Sequence, residues 1–202
     1  EAKILFICNP NNPTGKLRTR EELKVIAERC REHKTLLYVD EAFIELSDPS
    51  QSVADLPAEN NYVFVMRSLT KDFAIPGIRM GFGIAPPAMA DILNTARLSW
   101  NLGAIANNTG IALLNIEGGI DSPYLKKARE MILKEGETLK AKIDRIRGFE
   151  AGEVNVNFIL VDVSKFMLNS SELTARLAAR GVLVRDGVSF HGLEKNYIRV
   201  AV

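Results

Sequence analysis

Lys71 stands three residues after Ser68 and eight before Arg79, and the spacing sets a hydroxyl, an amine and a guanidinium around the end of one predicted strand. Asp40 closes an earlier predicted strand. Asn12 lies in a turn-rich stretch, Asn9 to Lys16 (NPNNPTGK), that follows a third. Ligands of open α/β sheets collect beyond the carboxyl ends of the strands, so these side chains read as the rim of one crevice. Their chemistry suits a phosphorylated aldehyde carried on a protonated pyridine ring. A carboxylate such as Asp40 keeps the ring nitrogen protonated. Arg79 and Ser68 suit the phosphate. Lys71 offers an amine that loses its proton at neutral pH when desolvation and nearby positive charge encourage it. An amide such as Asn12 donates to a phenolic oxygen. The ring performs the carbon chemistry while the protein positions and tunes it.

Each residue alone has a plainer use. Asn12 is a common turn former, Asp40 a helix cap or surface charge, and Ser68 a cap for the next turn. Lys71 is one of 26 basic residues, and Arg79 suits half of a surface ion pair. The glycines at 77, 81 and 83 lack the dinucleotide spacing. His33 ends a predicted helix, where a cation suits the macrodipole. His191 falls in a loop between Arg185 and Arg199, and Trp100 is expected to pack rather than bind. Order and spacing therefore carry the reading.

The elements that position these residues alternate. Ile4 to Cys8 is a continuous apolar run, as expected of a strand buried on both faces. Thr19 and Glu22 have capping-box spacing ahead of a helix reaching about His33. Leu36 to Val39, Tyr62 to Arg67 and Gly81 to Ala85 read as further strands. The economical fold is α/β, a mostly parallel sheet with helices on its faces. After Pro87 helical patterns occupy 88–97, 104–116 and 123–147, the last long and amphipathic. Phe158 to Val161, a helix near 171–180, Val182 to Val184 and Tyr197 to Val202 suggest a small α+β unit. The expected organisation is a large-domain part over 1–122, a linking helix over 123–147 and a small C-terminal domain over 148–202.

Composition narrows the partners. The 202 residues are 47% hydrophobic and 25% charged, enough for a real core. Lys and Arg total 26 against 25 Asp and Glu, so no global field favours nucleic acid or a membrane surface. No apolar run reaches the roughly 20 residues that cross a bilayer. Cys8 and Cys30 have neither metal-ligand nor redox spacing, so no metal is expected and a reduced, cytoplasmic protein is the default. The chain opens without Met and stops inside a strand-like run, which reads as two cuts through a larger protein.

The strings NPNNPTG (Asn9 to Gly15), DEAF (Asp40 to Phe43), SLTK (Ser68 to Lys71) and GIRMG (Gly77 to Gly81), in that order, resemble the class I and II aminotransferases of fold type I. The resemblance covers essentially the whole chain. It implies pyridoxal 5'-phosphate as cofactor, with Lys71 the catalytic Schiff-base lysine and proton shuttle. Asp40 then partners the ring nitrogen, Asn12 the phenolic oxygen, and Ser68 and Arg79 the phosphate. Arg199, in YIRV (Tyr197 to Val200), resembles the arginine that grips a substrate carboxylate, and Asn157 matches a recurrent position before it. Phe43 stands where the family often has tyrosine, so one hydroxyl that tunes the phenolic oxygen is missing. The family's N-terminal arm, phosphate-binding glycine turn and ring-stacking aromatic find no counterpart before Glu1. The resemblance thus implies part of a homodimeric parent, and a piece expected to hold the cofactor weakly or not at all.

Within the family, Ser68 to Arg79 (SLTKDFAIPGIR) and Ser99 to Leu102 (SWNL) are most similar to threonine-phosphate decarboxylase, which supplies a cobalamin side chain. The alternative is histidinol-phosphate aminotransferase of histidine synthesis. Val184 to Asp186 (VRD), ahead of Arg199, resembles the place of a second arginine in this subgroup, so Arg185 is expected to meet a substrate phosphate. Two arginines suit a small phosphorylated amino acid with two anionic ends. A reading of another class is a non-catalytic module unable to bind the cofactor.

Overall fold

The computed structural model describes residues 2–116 and 118–202; Glu1, the expected cut, lies outside them. Two compact units result. One joins residues 1–10 with 17–128, and the other joins 11–16 with 129–202.

In the first unit, β1 (Ile4–Cys8) is followed by α1 (Arg20–Glu32), β2 (Leu36–Asp40), β3 (Val63–Ser68), α2 (Leu69–Asp72) and β4 (Gly81–Ile84). The sheet order is β1-β2-β3-β4; the first two pairs are parallel and β4 runs antiparallel to β3. Helix α1 starts where Thr19 and Glu22 close a reciprocal capping box. Its opposite end places Arg29 and Arg31 at the negative pole of the macrodipole, with His33 as C-cap. Leu23, Ala27 and Cys30 of α1 pack on Leu37, Val39, Val63 and Val65. Each fully buried aliphatic there contributes about 1.5–3 kcal/mol.

Strand alternation sends Tyr38 and Phe64 to the other face. There Phe6, Tyr38 and Phe64 form a row with ring centroids 5.0 Å apart. That row corrects the expectation for Ile4 to Cys8. Ile4, Leu5 and Phe6 are exposed, Phe6 at 67%. β1 is an edge strand and the α1 core centres on its neighbours, so its apolar run is not buried on both faces.

Helices α3 (Pro87–Ala96) and α4 (Ala104–Leu114) follow, then α5 (Pro123–Ile143). Trp100, expected to pack, is 97% exposed, in a left-handed turn between α3 and α4. α5 stops short of the predicted end at 147. Ile146 and Phe149 bond back in turns, and Gly148 takes a left-handed φ of +90°.

In the second unit β5 (Glu150–Ala151), β6 (Phe158–Asp162), β7 (Arg185–Asp186) and β8 (Tyr197–Ala201) form an antiparallel sheet of order β5-β6-β8-β7. Leu173 of α6 (Ser170–Ala178) joins Ile159, Val161 and Ile198 in its core. The predicted strand at Val182 to Val184 is absent. Val182 N–H instead bonds Leu177 O as α6 ends at the left-handed Gly181, and pairing starts at Arg185 opposite Arg199. Residues 11–16 form a closed turn: Gly15 N–H donates to Asn11 O at 2.7 Å and Thr14 Oγ1 to Asn11 Oδ1 at 2.7 Å. Gly15 has φ +72°, and a Cβ there would approach Glu153 O to 3.4 Å, so glycine serves both conformation and space.

Candidate active site

The first unit gathers a polar chain where β3 becomes α2. Ser68 caps α2 by accepting from Thr70 N–H, and its Oγ lies 2.7 Å from Thr70 Oγ1. Lys71 Nζ donates to that same Thr70 oxygen at 3.2 Å. The Lys71 amine also sits 5.6 Å from the centre of the Phe43 ring. Asp40, half-buried at the end of β2, accepts from Ala42 N–H at 2.9 Å. It pairs in register with Met66, two residues before Ser68, so Asp40 and Ser68 share a sheet face. Arg79 is exposed and donates to Pro76 O at 2.9 Å rather than joining the Ser68–Thr70–Lys71 chain. Its backbone is left-handed, φ +55°, a conformation that costs a non-glycine residue roughly 1 kcal/mol or more.

A buried network lies beside this chain. Arg67 Nε donates to Glu41 at 2.7 Å, another nitrogen donates to Ser52 Oγ at 2.7 Å, and a third pairs with Glu45. Glu41 also accepts from Ser52 Oγ and from Val53 N–H. Asp72, next to Lys71, is 5% exposed, and its Oδ1 has no hydrogen-bond partner among the described residues. Burial pushes the Asp72 carboxyl up to about 8; Glu45 adds to the shift, while Arg67 and Lys71 oppose it.

The second unit gathers the arginines. Arg199 donates to Asn12 Oδ1 at 2.5 Å, its guanidinium 5.0 Å from the Phe158 ring centre and 5.6 Å from that of Phe190. Arg185 lies 5.5 Å from the same Phe190 ring and donates to Ser189 Oγ at 2.9 Å. Among the described residues neither guanidinium pairs with a carboxylate. Burial, with the Arg185 charge in addition, lowers the pKa of Arg199. Neighbouring Asp186 is taken up by the hydroxyls of Ser170 and Ser171, at 2.7 and 2.6 Å. Those bonds tie β7 to the start of α6. Asn157 has a buried Oδ1 with no hydrogen-bond partner among the described residues.

The structure thus joins Ser68 to Lys71, and Asn12 to Arg199, and sets Arg185 beside Arg199. Sequence reasoning overlooked Thr70, Asp72, the Glu41–Arg67–Glu45 network and the two phenylalanines. Arg67 carried a legible signal, since it continues the buried alternation of Val63 and Val65. A buried charge there demands carboxylate partners.

A lysine, a carboxylate and a hydroxyl lie at the strand ends of the α/β unit, and an arginine pair lies in the α+β unit. Residues 1–202 match the family described as aminotransferase class I and II, and the chain belongs to that family. A histidinol-phosphate aminotransferase of Methanosphaera stadtmanae is 31% identical over 202 residues, covering 100% of this chain and 52% of that protein. A relative from Caldanaerobacter subterraneus subsp. tengcongensis, named for threonine-phosphate decarboxylase, is 33% identical over 204 residues, with 100% and 54% covered. The crystal structure of histidinol-phosphate aminotransferase from Clostridium acetobutylicum superposes with a TM-score of 0.89 at 28% identity, over 99% of this chain and 59% of that one. The chain spans about half the length of the curated relatives it matches.

Proposed function

We propose that this chain supplies the cofactor lysine and the substrate arginines of a pyridoxal-phosphate enzyme acting on a small phosphorylated amino acid, with decarboxylation of threonine phosphate as the reaction. The observation that carries the substrate class is the Arg185–Arg199 pair. Two guanidiniums share the Phe190 ring and have no carboxylate partner among the described residues, so both charges are free for a ligand with two anionic ends. The cofactor rests on the family and on a donor set that fits it. Lys71 offers an amine held on a hydroxyl, Asp40 a half-buried carboxylate, and Ser68 a hydroxyl on the same face as Asp40.

When bound, pyridoxal phosphate supplies an aldehyde for an amine and a ring that withdraws electrons. Asp40 would hold the proton of the ring nitrogen. Ser68 and Arg79 would take the phosphate. Lys71 Nζ would meet the aldehyde and would carry a proton to or from substrate carbon, with Thr70 Oγ1 accepting its hydrogen bond at 3.2 Å. Phe43 brings no hydroxyl. The bond from Arg199 occupies Asn12 Oδ1, which leaves the Asn12 amide nitrogen as donor to the phenolic oxygen. Arg199 sets the direction of the substrate carboxylate and Arg185 takes the distal phosphate. Asn157, with an unpartnered Oδ1, would accept a hydrogen bond from a donor group of the ligand.

Loss of the substrate carboxylate would release carbon dioxide. Retention of that carboxylate by Arg199 would let the α-proton leave to Lys71 instead. The named activity of the Methanosphaera relative favours that second course, transamination of histidinol phosphate. Incubation with the cofactor and either threonine phosphate, or histidinol phosphate plus 2-oxoglutarate, separates them. Carbon dioxide release supports the decarboxylase, glutamate formation the aminotransferase, and neither product above the blank contradicts both. The family resemblance further implies a cytoplasmic, homodimeric parent. Among the described residues no helix is long and apolar enough to cross a membrane.

A further inference from the structure

One polar side chain beside the arginine pair has no part in that chemistry. Arg185 Nε donates to Ser189 Oγ, and Ser189 Oγ in turn donates to Asp186 O, each at 2.9 Å. A hydroxyl has one proton. Asp186 O takes it, so Ser189 presents only a lone pair to Arg185. The single turn Gly187–Ser189 that brings the hydroxyl there is itself fixed. Asp186 Oδ1 accepts from Val188 N–H at 3.1 Å, and Phe190 N–H donates to Gly187 O at 2.8 Å. A Cβ on Gly187 would lie 2.4 Å from Tyr197 O, so glycine alone lets the turn rest against β8. The next residue, Phe190, sets its ring centre 5.5 Å from the Arg185 guanidinium. Arg185 is thus held at Nε and over a ring, while its two terminal nitrogens have no partner among the described residues. The neighbouring carboxylate, Asp186, is engaged by Ser170 and Ser171 instead.

We propose that Ser189 is a positioning residue that makes Arg185 the reader of a distal phosphate, so that the site selects a phosphorylated amino acid over its phosphate-free counterpart. The proposal rests on the reading of Arg199 as the arginine for the substrate carboxylate. With Nε occupied, Arg185 meets an anion end-on, through the parallel bonds that its two terminal nitrogens make with two oxygens. Arg185 and Arg199 pair directly across β7 and β8, and both guanidiniums lie within 5.6 Å of the Phe190 ring centre. That spacing suits anionic ends a few bonds apart. Two like charges side by side repel, and a phosphate offsets that repulsion where a neutral hydroxyl does not. Ser189 and Phe190 order Arg185 beforehand, so little of its freedom is lost when the phosphate arrives.

The test compares the unaltered chain with Ser189→Ala, using threonine phosphate and threonine as separate probes in calorimetry. Exchange of the Arg185 Nε–H is followed by nitrogen NMR without ligand. The unaltered chain should bind threonine phosphate at least about tenfold more tightly than threonine. Ser189→Ala should weaken threonine phosphate about fivefold, leave threonine unchanged and speed the exchange at Arg185 Nε. Ser189→Thr, which keeps the hydroxyl, should behave as the unaltered chain. Equal affinity for the two probes overturns the proposal, as does binding of neither. So does a Ser189→Ala variant that holds threonine phosphate as tightly as before, or that weakens both probes alike. If Ser189→Ala does not fold, the unaltered chain decides alone: an Arg185 Nε–H that exchanges as fast as that of a fully solvated arginine overturns the proposal. Failure of Lys71 to react with pyridoxal phosphate would sink the enzyme reading and leave this selectivity standing, so the two can fail separately.

Discussion

The two units treat an arginine in opposite ways. Arg67 is buried and surrounds its charge with Glu41, Glu45 and Ser52. Arg199 is half-buried between Phe158 and Phe190 and donates to a neutral amide, Asn12. A guanidinium matched by carboxylates has no charge left for a ligand and serves the fold. One held by rings and an amide stays in place with its full charge available. Partner chemistry, not residue type, separates the structural arginine from the binding one.

The largest effect should come from breaking the matched arginine. Arg67→Leu leaves Glu41 and Glu45 buried without their cation, and about 3–5 kcal/mol of stability should be lost in urea unfolding. A loss below about 1 kcal/mol would show that the network is not buried as described.

Next in size is the pH dependence that Asp72 imposes. Its folded-state value of about 8 lies above the ordinary 3.8. Between those values the folded chain keeps a proton that the unfolded chain has released, so stability falls as pH rises through that window and levels off above it. The slope approaches about 1.4 kcal/mol per pH unit at most. Asp72→Asn should remove that slope and raise stability at neutral pH. Unfolding curves that keep the same pH slope in the variant would contradict the assignment.

Arg199→Ala sharpens the comparison from the other side. Two ring contacts at a half-buried site are worth roughly 1–2 kcal/mol together, so unfolding should change little. Binding of inorganic phosphate or threonine phosphate, followed by calorimetry, should weaken about tenfold or more. A large stability loss with unchanged anion binding would make Arg199 a second structural arginine. Phe190→Leu should have the smallest effect, about 0.5–1 kcal/mol. It should weaken anion binding by a few-fold, because it loosens Arg185 and Arg199 without removing a charge.

The comparison also marks what the sequence could and could not reveal. The parallel strands were legible as short apolar runs, Leu36 to Val39 and Tyr62 to Arg67, and α1 because Thr19 and Glu22 announce its start. The mistakes fall where a run of favourable residue types has another use. Val182 to Val184 reads as a strand but closes a helix, and Ile4 to Phe6 reads as core but lies at a sheet edge. At the site, Lys71, Ser68, Arg185 and Arg199 were legible from spacing and resemblance. Their supports were not. Thr70, Phe158 and Phe190 act through side-chain contacts that a linear order does not display. Asp72 carries no signal in its spacing, and only burial distinguishes it.

The central claim is that Lys71 is the amine for pyridoxal phosphate. Incubation of the chain with saturating pyridoxal phosphate, borohydride reduction and peptide mass spectrometry test it directly. The account predicts one dominant modified lysine, Lys71, and loss of that adduct with no replacement in Lys71→Ala. Labelling spread evenly over the exposed lysines, or undiminished in Lys71→Ala, would contradict it.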